Sequence, residues 1–319
     1  AKQGHHVLWA NSRYRGADYA LMMEKVACDL GEAICDAKER LGYSNIVLAG
    51  WSGGGSLMMW YQALAEAGEG INDTAAGDSY TVDAARLPAA NSIMMLAAHV
   101  SRHRIFTEWL DPSITDESQP QQRDVQLNLY DAANPNQPPY SADFLEHFGQ
   151  AQIARNRRIT AWVREKLEAI RASDSPWSEF AFTVHGTMAD PRWLDPSIEP
   201  SDRKPGSCYL GDPKIVNDGP VGLARFCTLR SWLSQWSYDD ARCDAIASGG
   251  RISVPVLVVG NSADDACTPS HTQRLYDAVT HERKHLHVVK GATHYYTGAH
   301  GAEHMAEACG VIENFLTRQ

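Results

Sequence analysis

The sequence predicts an α/β protein built on a mostly parallel sheet covered by helices, and three observations carry that prediction. Short apolar runs, of the kind that form strands buried on both faces, recur at 46–49, 92–98 and 254–259. Ahead of the first run, Met22, Met23, Val26, Ala27, Leu30, Ile34 and Ala37 recur at helical spacing, as on an amphipathic helix that covers a sheet. Finally, Gly50-Trp51-Ser52-Gly53-Gly54 follows the first of those runs directly and precedes a helix-prone stretch at 56–66. Strand, Gly-x-Ser-x-Gly and helix in that order describe a sharp turn that presents a serine at the end of a sheet.

The remaining elements are read in the same way. His6-Val7-Leu8-Trp9-Ala10 is predicted to be a short strand ending in a polar loop closed by Gly16, and the Gly/Ala/Asp-rich segment 68–90 a surface excursion. After His99 the alternation of strand and helix breaks for roughly 150 residues. Within that block 111–140 is loop-like, 144–171 reads as one long helix or two, 186–222 is Pro/Gly-rich and 223–247 is helical. The long-helix stretch would place Phe144, Phe148, Ile153, Ile159, Trp162, Val163, Leu167 and Ile170 on its apolar side. Alternation then resumes with the strand at 254–259, a helix at 270–279, a strand at 286–289 and a last helix with Met305, Cys309, Ile312, Phe315 and Leu316 on one face. The organisation expected is a core at 1–99 and 251–319 with an inserted, mainly helical cap at 100–250.

Composition narrows the function. A chain of 319 residues, 44% of them apolar, can bury a large core. A net charge of −10 with a pI near 5.7 disfavours nucleic acid and anionic membranes as partners. No run approaches the length of a membrane span. The seven cysteines, odd in number and without a C-x-x-C pair, read as reduced thiols of a cytoplasmic protein rather than as a disulfide frame.

A serine hydroxyl attacks a carbonyl only when a neutral imidazole takes its proton and a carboxylate orients that imidazole. Two loops that directly follow strands offer those groups. Gly260-Asn261-Ser262-Ala263-Asp264-Asp265-Ala266-Cys267-Thr268-Pro269 offers two acids, and Lys290-Gly291-Ala292-Thr293-His294-Tyr295-Tyr296 offers one histidine. Spacing alone leaves Asp264 and Asp265 both open.

The elbow GWSGG, the acid loop VPVLVVGNSADDACTP and the histidine loop LHVVKGATHYY together resemble the α/β-hydrolase fold superfamily, and NSRYRGADY resembles its Arg-Gly loop. The likeness covers roughly 5–66, 91–99 and 252–318. It implies a doubly wound sheet with the cap between the sixth and seventh core strands, Ser52 as nucleophile and His294 as base and then acid. It also favours Asp265 as the orienting acid, because Asp265-Ala266-Cys267-Thr268-Pro269 fits the Asp-x-x-x-Pro pattern of many members. The backbone N–H of Gly53 becomes one oxyanion donor. The second donor would follow a third strand upstream of residue 1, so a preceding segment or companion fragment is expected to complete the sheet.

Trp51 and Tyr295, beside the serine and the histidine, are candidate substrate contacts. Arg13 and Tyr14 are candidates to orient a substrate oxygen, although Arg13 would serve equally well in a structural ion pair. Trp109, Trp193, Trp232 and Trp236 could build an apolar pocket, and His185 in Val184-His185-Gly186-Thr187 could line it. The pair His300/His304 and the group His281, His285 and His287 lack further ligands at metal-binding spacing, so neither metal nor other cofactor is expected. The expected activity is hydrolysis of an ester, lactone or thioester of a small to medium apolar molecule. An amidase, a C–C bond hydrolase and a ligand binder with a vestigial triad are the alternatives.

Overall fold

A computed structural model describes residues 4–174 and 176–318, and the chain divides into two compact units, 1–101 with 243–319 and 102–242. The first unit opens with helix α1 (Met23–Glu39), then strand β1 (Val47–Trp51) and helix α2 (Gly53–Ala67). A hairpin of β2 (Ile71–Asp73) and β3 (Ser79–Val82) follows, and then β4 (Ser92–Leu96). The second unit comprises α3 (Arg102–Trp109), α4 (Ala142–Arg171), β5 (Ala181–Thr183), α5 (Pro191–Leu194), α6 (Pro213–Asp218), β6 (Phe226–Thr228) and α7 (Leu229–Gln235). Returning to the first unit, the chain forms α8 (Ala245–Gly249), β7 (Val256–Asn261), α9 (Pro269–Ala278), β8 (Lys284–Val289) and α10 (Gly301–Leu316). Among the described residues, no helix is long and apolar enough to cross a membrane.

The central sheet has the order β1-β4-β7-β8, and every pairing in it is parallel. Because side chains alternate along a strand, β4 sends Ile93 and Met95 to one face and Met94 to the other. The first face packs on Met59 and Ala63 of α2, Ala245 of α8 and Leu275 of α9. The second packs on Ala308 and Phe315 of α10. With β4 and β7 apolar and buried on both sides, the fold is α/β. Parallel direction also brings the ends of β1, β7 and β8 to one edge of the sheet, the edge where such folds place their chemistry.

The second unit has its own core. In α4 the buried Asn156 donates to Thr107 Oγ1 and to the Trp236 carbonyl, at 3.0 and 2.9 Å, and its Oδ1 accepts from the Tyr238 N–H. Trp232 donates its indole N–H to Thr160 Oγ1 at 2.9 Å. The chain departs from the first unit after Ser101 and returns by Asp244. Those two residues form an antiparallel bridge, and the Ala245 N–H donates to the Val100 carbonyl at 2.9 Å.

Several expectations need correction. Residues 6–10 form no strand; Val7 and Trp9 are 72% and 83% exposed, because no neighbouring strand pairs with this run. Among the described residues the central sheet therefore has four strands rather than five. Segment 68–90 is not merely a surface excursion, since Ile71, Val82 and Leu87 bury against α1 and α2. Segment 223–247 is interrupted by β6, which pairs with β5 in a two-stranded ribbon that also accounts for the run before His185. Trp162 does not lie on the buried side of α4, being 42% exposed and ringed by Phe180 and Phe182. In α10, Met305 and Cys309 face solvent while Ala308 and Phe315 face the sheet.

Two glycines are required by close approach around the serine turn. A Cβ on Gly50 would lie 2.4 Å from the Gly54 carbonyl oxygen, and one on Gly55 would lie 2.3 Å from the Ala98 Cβ. Both obstacles are rigid, so Gly50→Ala and Gly55→Ala should each lower unfolding stability by about 1–3 kcal/mol. Urea denaturation checks this, and unchanged midpoints would show that the turn can relax.

Candidate active site

The turn after β1 has the geometry its sequence suggests. Ser52 adopts φ 54° and ψ −121°, a region that costs a non-glycine residue about 1–3 kcal/mol. It is held there from two sides. The Ser52 N–H donates to the Leu96 carbonyl at the end of β4 at 3.0 Å, and its own carbonyl accepts from the Gly55 N–H at 3.2 Å. Helix α2 begins at Gly53, so Ser52 stands at the positive end of a 15-residue helix, where developing negative charge is stabilised.

The acid that the structure places on His294 is Asp264, the neighbour of the one the resemblance favoured. His294 Nδ1 lies 2.8 Å from Asp264 Oδ2, and the two side chains form a buried His–Asp pair. The reason lies in the loop. Asp264 Oδ1 accepts from the N–H groups of Ala266 and Cys267 at 2.8 and 2.7 Å, closing a turn that fixes the carboxylate and leaves Oδ2 for the imidazole. Asp264 is fully buried and Asp265 only half-buried. The Asp-x-x-x-Pro spacing is present but marks the neighbouring residue.

Acid loop and histidine loop are tied to each other as well. Asn261 donates to the Thr293 carbonyl, the Gly291 N–H donates to Ser262 Oγ, and the Ala263 N–H donates to the Ala292 carbonyl, at 2.9, 2.7 and 3.0 Å. Aromatic rings then fix the imidazole. The Trp51 ring lies over His294 at 4.8 Å with an interplanar angle of 31°, and Tyr295 meets the imidazole edge-on, also at 4.8 Å. His294 is 2% exposed whereas Trp51 and Tyr295 are 44% and 49% exposed, so the two rings form an accessible rim around a buried dyad. The Tyr295 hydroxyl is pushed above its ordinary pKa by burial and by Asp264 nearby.

Sequence reasoning missed Cys267. Its buried thiol lies 3.9 Å from Ser52 Oγ, which in this structure contacts that sulfur and makes no hydrogen bond to His294. Burial pushes the thiol pKa well up, and the Asp264 and Asp265 carboxylates add to the shift against a smaller opposing contribution from Ser52. The only signal for this residue was its place three positions after a candidate acid.

Other candidates fall elsewhere. Arg13 forms a forked ion pair with Asp29, as the structural alternative required. His287 pairs with Glu307 and His300 with Glu303. Trp109 and Trp193 pack on each other at 5.2 Å, and together with Trp232, Trp236 and His185 they belong to the second unit. Among the described residues, none of the seven cysteines is joined in a disulfide.

No protein-family model and no curated protein sequence matches the chain. Among solved structures it is similar to an alpha/beta hydrolase from Penicillium sp. sh18, at 12% identity and a TM-score of 0.48, covering 94% of this chain and 73% of that one. It is also similar to a monoacylglycerol lipase from Paleococcus ferrophilus, at 15% identity and TM-score 0.41, covering 94% and 77%. A thermophilic esterase from Thermogutta terrifontis is similar at 12% identity and TM-score 0.38, covering 99% and 76%. Each is a likeness of fold at low identity, and the chemistry below is argued from the side chains of this chain.

The Asp264–His294 pairing separates the two neighbouring acids experimentally. Asp264→Ala should shift the ring-proton NMR resonances of His294, because the imidazole loses the carboxylate it is hydrogen-bonded to. Asp265→Ala should leave those resonances nearly unchanged. Proton NMR of the two variants checks both, and the reverse ranking would overturn the pairing.

Proposed function

We propose that the chain is a serine hydrolase of the α/β-hydrolase type, acting on an ester, lactone or thioester of a small to medium apolar molecule. One observation carries this reading. A serine in strained backbone geometry at a helix N-terminus shares a sheet edge, within one compact unit, with a buried, hydrogen-bonded His–Asp pair.

With Asp264 on Nδ1, the imidazole presents Nε2 as the nitrogen able to take a proton. In the proposed cycle Ser52 Oγ attacks the substrate carbonyl while its proton passes to His294. The oxyanion is stabilised by the Gly53 N–H and the start of α2. Collapse of the tetrahedral intermediate breaks the bond to the leaving alcohol or thiol, which departs with the proton from His294. Water then attacks the acyl-enzyme, gives its proton to His294, and Ser52 recovers it as the acid is released. In the present structure Ser52 Oγ must turn from Cys267 towards the imidazole, and such hydrogen bonds commonly tighten only with substrate in place. Trp51 and Tyr295 supply apolar surface at the rim, which supports an apolar acyl or alcohol group. The reading needs no metal or organic cofactor.

Labelling by a fluorophosphonate tests the nucleophile. The wild-type chain should be labelled at Ser52, Ser52→Ala should not, and both Ser52→Ala and His294→Ala should lose on the order of 10⁴–10⁶ in kcat on p-nitrophenyl esters. A wild-type chain that is folded, unlabelled and inactive on esters of every chain length would instead fit a binding protein, the reading that the Ser52–Cys267 contact favours.

A further inference from the structure

Cys267 has no part in the proposed hydrolysis, yet its thiol stands among the groups that do. One donor atom each from Asp264, Cys267 and His294 lie within 4.8 Å of one another, and all three residues are buried. We propose that these side chains form a binding site for a single thiophilic divalent cation, of the zinc and cadmium kind, and that its occupancy shuts off hydrolysis.

The donor set points to that class of ion. A thiolate sulfur, an imidazole nitrogen and a carboxylate oxygen are the ligands that zinc and cadmium favour, and three protein ligands leave a fourth position open. Ser52 Oγ lies 3.9 Å from the sulfur, next to the proposed ligand set. Magnesium and calcium demand six or more oxygen ligands, which this cluster cannot provide. Charge fits as well: a thiolate and a carboxylate neutralise a divalent cation, so the occupied site leaves no net charge buried. Ligand atoms around tetrahedral zinc are about 3.3–3.8 Å apart. The widest separation here therefore has to close by about an ångström, within reach of small side-chain rotations.

Binding forms metal–sulfur, metal–nitrogen and metal–oxygen bonds, and the thiol proton leaves to solvent. It also takes the carboxylate and imidazole of the dyad as ligands. A His294 held by a cation in place of Asp264 no longer receives the proton of Ser52 in the required orientation. The binding claim stands independently of the hydrolase reading; only the inhibition rests on it.

Cadmium is the probe, because a cadmium–thiolate bond has its own ultraviolet charge-transfer absorption. The experiment uses the full chain carrying Cys28→Ser and Cys309→Ser, which removes the two cysteines that are not buried. Titration should show one cadmium per chain with thiolate absorption, a matching loss of ester hydrolysis, and no response to magnesium. Ser52→Ala should keep the absorption. Cys267→Ala should abolish it and weaken calorimetric cadmium binding by at least roughly tenfold, and His294→Ala should weaken binding while keeping the thiolate band. Absence of the band from the parent protein overturns the proposal, as does a band and affinity unchanged in both the Cys267 and His294 variants. Cadmium binding in a chain that no fluorophosphonate labels would leave the site standing and remove only the hydrolase reading.

Discussion

The strained turn at Ser52 is the constraint on which the rest of the site depends. A non-glycine residue at φ 54° and ψ −121° is unfavourable in isolation, and what holds it is the sheet on one side and helix α2 on the other. The hydrogen bond from the Ser52 N–H to the Leu96 carbonyl uses the last register position of β1 against β4. Gly50 and Gly55 allow the helix to begin so close to the strand that no side chain fits between them. The strain therefore costs about as much as a single good packing interaction, and the reward is a hydroxyl placed at the mouth of a helix dipole.

The second half of the site is built on a different principle. In the histidine loop the positive φ of a non-glycine residue falls at Tyr296 (53°), and His294 itself is held by hydrogen bonds and ring contacts. The carboxylate of Asp264 is fixed by two N–H groups of its own loop, and that loop is stitched to the histidine loop by Asn261, Ser262 and Ala263. Dyad and loops therefore behave as one block at the ends of β7 and β8.

Much of this was legible in the sequence, and the failures have physical causes. The serine turn could be read because an apolar strand, a glycine-flanked serine and a helix-forming stretch each signal the same local geometry. The histidine could be read because one histidine follows the last strand directly. Asp264 and Asp265 could not be separated, since adjacent residues share a loop and differ only in which carboxylate the backbone N–H groups capture. The run at 6–10 carries a strand's composition, but composition does not supply a neighbour to pair with. In α10 and α4 the helical period was right while the buried face was misjudged at Met305, Cys309 and Trp162. Side chains with large apolar area can lie outside as well as inside. Cys267 was overlooked because nothing in a sequence reveals that a loop folds back to lay its thiol beside a serine 215 positions away.

The bridge between Ser101 and Asp244, with the Ala245 N–H on the Val100 carbonyl, has a consequence for engineering the chain. Val100 and Ser101, where the chain leaves the first unit, are thus bonded to Asp244 and Ala245, where it has returned. A segment anchored in this way can lengthen, shorten or be exchanged without asking the sheet to refold, because loop-closure entropy grows only slowly with length.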